Sequence, residues 1–438
     1  MILEDLSEEL IELCLEGLDT GALQNLRLVN RFFNPRASKL LYRHVTVYCT
    51  EHSVQNARLI LDRDHLNPLI ESLTLHTCDP ELCPDIYEPG NEGGAELSEE
   101  YESLLGDVGR FRGLRAVELE FSRQCAVEPV DQGEKTVWES TEFRTKALTA
   151  LVQGLNHEEH PATKVHNLTI ECLQDVVDQT LARSHDFKAV LSRLDSLSLL
   201  IISEFDPDYD LDLPDFYRAE PYRFFGNDLR QYWLEPTREK LTHLKLHGKM
   251  DWGYLPYCNL PDLHFPKLRS LSLGRMTFTH DWQLDWIASH RSTLSSLTLD
   301  HCQIVHGANV SMQLRADRYP KLQPCESAKE DIIHGGQWTY DTRWHDYFRR
   351  LNDALPHLKR FNVNHSAFAM KTTSSRYYIF DQTSVPDGWI NAEPRKTIAD
   401  KVVMEYDCSW DEPPPYPDCE KEDSEALAEL MEAVRGRR

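Results

Sequence analysis

Positive charge is scarce in this chain: 47 lysines and arginines face 72 aspartates and glutamates over 438 residues, a formal net charge of -25. Such a surface repels phosphate backbones and anionic membranes, so neither nucleic acid nor membrane is an expected partner. No apolar run approaches the length of a membrane span. The 11 cysteines are odd in number, scattered, and without a Cys-x-x-Cys pair. That usage suits a reducing compartment rather than a disulfide framework. The start, MILEDLSEEL, is acidic where a secretory or mitochondrial leader is basic, so the cytoplasm and/or nucleus is expected. A Walker-type phosphate loop, a dinucleotide fingerprint and a Gly-x-Ser-x-Gly elbow are all missing, and no cofactor is expected.

The nearest approaches to site chemistry are weak. His157-Glu-Glu-His160 has neither HExxH spacing nor a third ligand at a foreseeable place, and reads as a loop before Pro161. Asp206, Asp208, Asp210 and Asp212 alternate like a calcium loop, but Leu211 stands where glycine is needed and Tyr217 where the bidentate glutamate is needed. The HGG at 334–336 reads as a turn. No catalytic or metal-ligating residue is therefore assigned, and the chain is not expected to be an enzyme.

What is abundant is periodic leucine. Leu6, Leu10, Ile11, Leu13, Cys14, Leu15 and Leu18 recur at helical spacing until Gly17 and Gly21 interrupt. Leu23, Leu26, Leu28, Val29, Phe32 and Phe33 repeat the period up to Pro35, and Ala37, Leu40 and Leu41 open a third segment. Three such short helices cannot bury this much apolar surface by themselves, which points to an apolar partner.

Beyond them, an apolar-x-x-apolar-x-apolar unit recurs eight times, beginning at Ile70, Leu114, Val165, Leu194, Leu241, Leu268, Leu294 and Leu358. LSSLTLDHCQI is the cleanest copy. Each unit reads as a strand whose leucines point inward and whose intervening residues turn outward onto a common face. His243, Lys245, His247, Ser270, Ser272, Ser296, Thr298 and Asp300 are the candidate substrate-binding residues of that face. The gaps are long: residues 81–105 carry eight acids and no base and read as a solvated loop, whereas 204–236 crowds aromatic residues among four prolines. WHDYFRRLNDA reads as an amphipathic helix leading into the last unit. The chain then turns acidic and proline-rich before a short helix, and Pro413, Pro414, Pro415 and Tyr416 spell a Pro-Pro-x-Tyr element that a WW domain accepts.

The N-terminal segment resembles the F-box, with Leu6, Glu9, Leu10, Ile11, Leu15, Leu18, Leu23, Leu26, Arg27, Leu28, Val29, Arg31 and Phe33 on pattern positions. Ser7, Cys14 and Ala22 depart from that pattern. With the leucine units, the chain is similar to leucine-rich-repeat F-box proteins of filamentous fungi. The resemblance implies an α/β architecture: a three-helix F-box over 1–45, then an irregular leucine-rich-repeat, ribonuclease-inhibitor-like solenoid with loop insertions over 46–403, then an acidic proline-rich tail with a short helix over 404–438. It implies a substrate receptor of an SCF-type ubiquitin ligase. Leu6, Ser7, Glu9, Leu10, Ile11, Cys14, Leu18, Leu23, Leu26 and Val29 would bind a Skp-type adaptor and, through it, a cullin scaffold. A non-ligase interaction scaffold with a degenerate box is the alternative.

Overall fold

The computed structural model describes residues 7–78, 96–123, 125–126, 139–204, 219–310, 314–315, 332–333, 336–364, 377–381 and 417–437. The chain is mixed α/β with mostly parallel strands. It divides into two compact units, one of residues 1–173 and 178–198, the other of 174–177 and 199–438.

The first unit opens with three helices, α1 (Glu8–Glu16), α2 (Thr20–Val29) and α3 (Phe33–Tyr42). Asp19 caps α2 by accepting from the Ala22 amide at 2.7 Å, and Asn30 accepts from the Phe32 and Phe33 amides at the start of α3. Acids four residues apart on α1 face bases on α3 and just past it: Glu8 with Arg36 at 3.5 Å, Glu12 with Lys39 at 2.7 Å and Glu16 with Arg43 at 4.0 Å. Strand β1 (His44–Tyr48) follows directly, then α4 (Glu51–Leu61), β2 (Ser72–His76), α5 (Glu99–Gly106), β3 (Ala116–Glu120), and the two-residue strands β4 (Cys125–Ala126) and β5 (Glu139–Ser140). The unit continues with α6 (Thr141–Leu155), β6 (Asn167–Gln174), α7 (Gln179–Arg183), α8 (His185–Ser192) and the start of β7 (Ser196–Ile202). Thr50, Ser98, Ser140, Asp178 and Ser184 each cap the helix they precede, all residue types that favour that position. Strands β1, β2, β3 and β6 pair in parallel and in register, His44 with Ser72, Ser72 with Ala116, and Ala116 with Asn167.

The second unit contains α9 (Ala219–Arg223), a π-helix over Phe224–Leu234, β8 (His243–Trp252), β9 (Ser270–Phe278), α10 (Asp281–Ser289), β10 (Ser296–Asp300) and β11 (Gln303–Val310). After these come β12 (Leu314–Arg315), β13 (Ile332–Ile333), β14 (Gly336–Thr339), α11 (Trp344–Ala354), β15 (Arg360–Asn364), β16 (Tyr377–Asp381) and α12 (Glu420–Gly436). Parallel pairing runs β8, β9, β10, β15, again in register, and survives the 64 residues separating the last two units in sequence. The sheet is not that of the expected solenoid: β11 branches from it, pairing antiparallel with β14 and parallel with β9 and β16.

All eight leucine units form strands, each strand beginning two residues after the unit's first apolar residue. Those first residues, from Ile70 to Leu358, are at most 1% exposed. The amides of the two residues entering a strand both donate to one carbonyl of the preceding unit: Glu71 and Ser72 to Arg43, Arg115 and Ala116 to Glu71, and, in the second unit, Ser295 and Ser296 to Arg269. A ninth copy is β1, where Tyr42, Val45 and Val47 carry the same spacing with tyrosine in the first place. Cys172, Arg275 and His301 have φ of 59°, 57° and 52°, and each stands seven positions after its unit's first apolar residue. Cys302, next in the cleanest copy, donates its thiol to the Leu273 carbonyl at 3.4 Å, tying β10 to β9.

One expectation is corrected. Part of the acidic stretch 81–105 is the helix α5, with Tyr101, Leu104 and Leu105 in the core; acids occupy its solvent side and its first turn, where they favour the helix dipole. In the aromatic stretch 204–236, Phe224, Phe225, Tyr232 and Trp233 are buried, and Phe225 stacks on Trp252 at 5.5 Å. Residues 205–218 of that stretch, 81–95 of the acidic one, and the whole Pro-Pro-x-Tyr element lie outside the described residues.

Candidate functional site

Alternation along β8, β9 and β10 sends Leu244, Leu246, Leu271, Leu273, Leu297 and Leu299 into the core and leaves the residues between them on one face. Because the register is exact to the residue, that face is laid out in rows. His243, Ser270, Ser296 and Arg360 form the first; Lys245, Ser272, Thr298 and Asn362 the second; His247, Gly274 and Asp300 the third. The structure thus brings all eight sequence-derived candidates together on adjacent strands.

The third row carries the densest chemistry. A Cβ on Gly274 would lie 2.4 Å from the His247 ring, so only glycine lets that imidazole lie across the sheet. From there its Nδ1 stands 3.9 Å from an Asp300 oxygen, and His301 Nδ1 stands 3.3 Å from the other. Beside them Arg275 faces Asp251 at 4.0 Å. Burial holds the His247 pKa below its ordinary value, outweighing the pull of Asp300, and Lys245, Arg275 and His301 add to the depression. Burial likewise raises the Asp251 carboxyl, against the Arg275 charge. His247 is therefore a neutral hydrogen-bonding group at neutral pH, with the exposed cation of Lys245 one row away. The face can offer charge-assisted hydrogen bonds from Lys245 and neutral ones from His247.

Sequence reasoning missed Gly274, Asp251, Arg275 and His301. Arg275, inside β9, and His301, just past β10, both adopt a left-handed backbone one position after the last alternating residue of their units. For His301 the residue type was an available signal, since histidine is enriched at positive φ.

The first unit carries an analogous face. His76 Nδ1 lies 3.2 Å from Glu120, and Tyr48 stacks on the His76 ring at 4.7 Å. Glu118 and Glu171 make this face more acidic than the other. His157 and His160 form a turn, the His157 Nδ1 accepting from the Glu159 and His160 amides.

Of the candidate adaptor contacts, Ser7, Glu9, Leu10, Cys14, Leu18 and Val29 are exposed, and Leu26 is half-buried. Ile11 and Leu23 are buried, 2% and 7% exposed, and hold the helices together. Leu6 lies outside the described residues. Leu13 and Leu28, absent from that set, stand 67% and 80% exposed. Leu10, Leu13 and Cys14 share one side of α1, opposite Ile11 and Leu15.

Comparison with protein-family models and with curated proteins finds no match. Among the described residues no helix is long and apolar enough to cross a membrane.

Proposed function

We propose that this chain is the substrate-recognition subunit of an SCF-type ubiquitin ligase, a degenerate F-box followed by an irregular leucine-rich-repeat array. Helices α1 and α2 dock on a Skp-type adaptor, and the strand face holds a protein substrate near a ubiquitin-loaded partner enzyme. The chain's own contribution to the chemistry is proximity. The observation that carries the reading is the pair of surfaces: leucines held outward on the N-terminal helices, and polar rows held outward on in-register strands. The recurrence of one strand per leucine unit supports the repeat assignment. The third-row cluster with Lys245 supports an acidic or phosphorylated segment as substrate.

The test is adaptor co-purification of the full chain against a Leu10→Glu, Leu28→Glu double variant. Both residues are exposed, so the fold survives the change, whereas altering Ile11 would disturb the helix packing as well. Retention of the adaptor by that variant, or its absence from wild-type purifications, turns the reading towards an interaction scaffold outside ubiquitin transfer. Lys245→Glu with His247→Ala tests the face separately: substrate capture falls while adaptor binding stays.

A further inference from the structure

Helix α12 lies alongside α11 and serves both of its ends. Near its start, Asp423 accepts from the His345 amide at 2.9 Å in the first turn of α11. At its close, Arg437 donates to the Leu355 and Asn352 carbonyls at 3.1 and 3.0 Å and to the Asn352 side chain at 2.7 Å. A carboxylate thus meets the positive end of the α11 dipole and a guanidinium the negative end. Three donors of different chemistry converge at the first of these contacts. His345 Nδ1 is 2.9 Å from one Asp423 oxygen, Cys419 Sγ is 3.7 Å from the other, and all three ligand atoms lie within 4.8 Å of one another.

We propose that His345, Cys419 and Asp423 form a zinc-class metal site that pins α12 to α11. Cys419 and Asp423 are four residues apart at the start of one helix, a spacing that puts two ligands on the same side. Asp423 is fully buried and Cys419 nearly so, while His345 keeps an edge to solvent. Imidazole, thiolate and carboxylate together select a borderline divalent ion such as zinc over calcium or magnesium, which take oxygen alone. Tetrahedral bonds to zinc set ligand atoms roughly 3.3–3.6 Å apart. The two separations run to different Asp423 oxygens, 3.7 Å from the sulfur and 2.9 Å from the histidine nitrogen, so ligation draws the sulfur in slightly and opens the histidine contact by about 0.4 Å as coordinate bonds replace the hydrogen bonds. A fourth position remains for water, as in other three-ligand zinc sites.

The protons balance simply. Cys419 releases its thiol proton to solvent, and His345 keeps one proton by carrying it on Nε2 instead of Nδ1. Nε2 faces Asp346 at 3.6 Å, a carboxylate placed to orient the ring from behind. One proton leaves for each ion bound when His345 starts neutral.

This site uses none of the residues on which the ligase reading rests, so it stands or falls apart from that reading. The test titrates chelator-treated full-length protein with Co²⁺. The expected result is uptake of one ion with a sulfur-to-metal charge-transfer band, displaced by Zn²⁺, together with slower amide exchange across residues 420–436. Cys419→Ser is expected to abolish the band, weaken uptake by at least about tenfold and cancel the added protection. His345→Ala is expected to do the same. Where that change loosens α11, Cys419→Ser alone decides, because the Asp423 cap is left in place. No uptake, or uptake with a band unchanged in Cys419→Ser, overturns the site.

Discussion

In α1 and α2, Leu10, Leu13, Leu28 and Val29 stand 50–80% exposed, whereas every leucine on β8, β9 and β10 is at most 2% exposed. The difference is one of neighbours. A strand inside the array has a strand on either side and its leucines face a core shared along the row. A helix of nine or ten residues has one inward stripe, and α1 spends its own on Ile11 and Leu15. Contact of α1 with α3 is supplemented by ion pairs in solvent, each worth about 0–1 kcal/mol. Among the described residues a second apolar stripe is left outside. The same residue type therefore supplies cohesion in one region and, in the proposed adaptor docking, recognition in the other.

Substitutions separate the two uses, and the largest loss is expected in the strand-bearing core. Arg144 is buried with Glu139 at 3.1 Å and donates to the Cys172 and Ser122 carbonyls at 2.5 and 2.6 Å. Arg144→Met leaves the Glu139 charge buried without its partner, and about 3–5 kcal/mol of stability should vanish in urea unfolding. Leu273→Ala opens a cavity between β8 and β10 and should cost about 3 kcal/mol. A loss as small as a surface substitution gives would mean that the array is not a packed core.

Acid sharpens the same point. His290 is fully buried, its Nε2 accepts from the Phe265 amide at 3.2 Å, and burial brings its pKa down to about 4. Between that value and the ordinary pKa near 6.5 the unfolded chain binds a proton that the folded chain refuses. Its contribution is thus complete above pH ~6.5 and is lost as pH falls towards ~4, by about 3 kcal/mol in all. His290→Asn should flatten that slope, and an unchanged slope would assign it elsewhere.

Gly274→Ala is expected to cost about 1–2 kcal/mol, because its methyl meets the His247 ring. Substrate capture should fall further than stability does, since His247 is pushed from Asp300. At the small end, Leu28→Ser with Val29→Ser should move stability by no more than about 0.5 kcal/mol. Adaptor capture by that variant should nevertheless drop; a large stability loss with intact capture would reverse the roles assigned to the two regions.

Much of this was legible in the residues. The eight apolar units marked eight strands and the phase of each, because a period of two admits one inward set. The helix at WHDYFRRLNDA and the polar rows followed from the same alternation. The ninth strand hid behind Tyr42 in the first apolar place, and α5 hid behind its acids, although Tyr101, Leu104 and Leu105 carried a helical stripe. The split of α1 and α2 into buried Ile11 and Leu23 and exposed Leu13 and Leu28 was not readable, because helical spacing alone offers two apolar stripes and does not say which one meets α3.

By itself, then, the sequence determined which segments are strands, which residues lie on their outer face, and that the N-terminal helices carry more apolar surface than they can bury. Tertiary structure decided what those residues meet. Parallel register set His247 over Gly274 and within reach of Asp300, 53 residues away in the chain. The packing of α12 on α11 joined His345 to Cys419 and Asp423 across more than 70 residues. Periodicity is a local property of consecutive residues, whereas a cluster depends on which segments become neighbours, and that is chosen by the packing of the whole core.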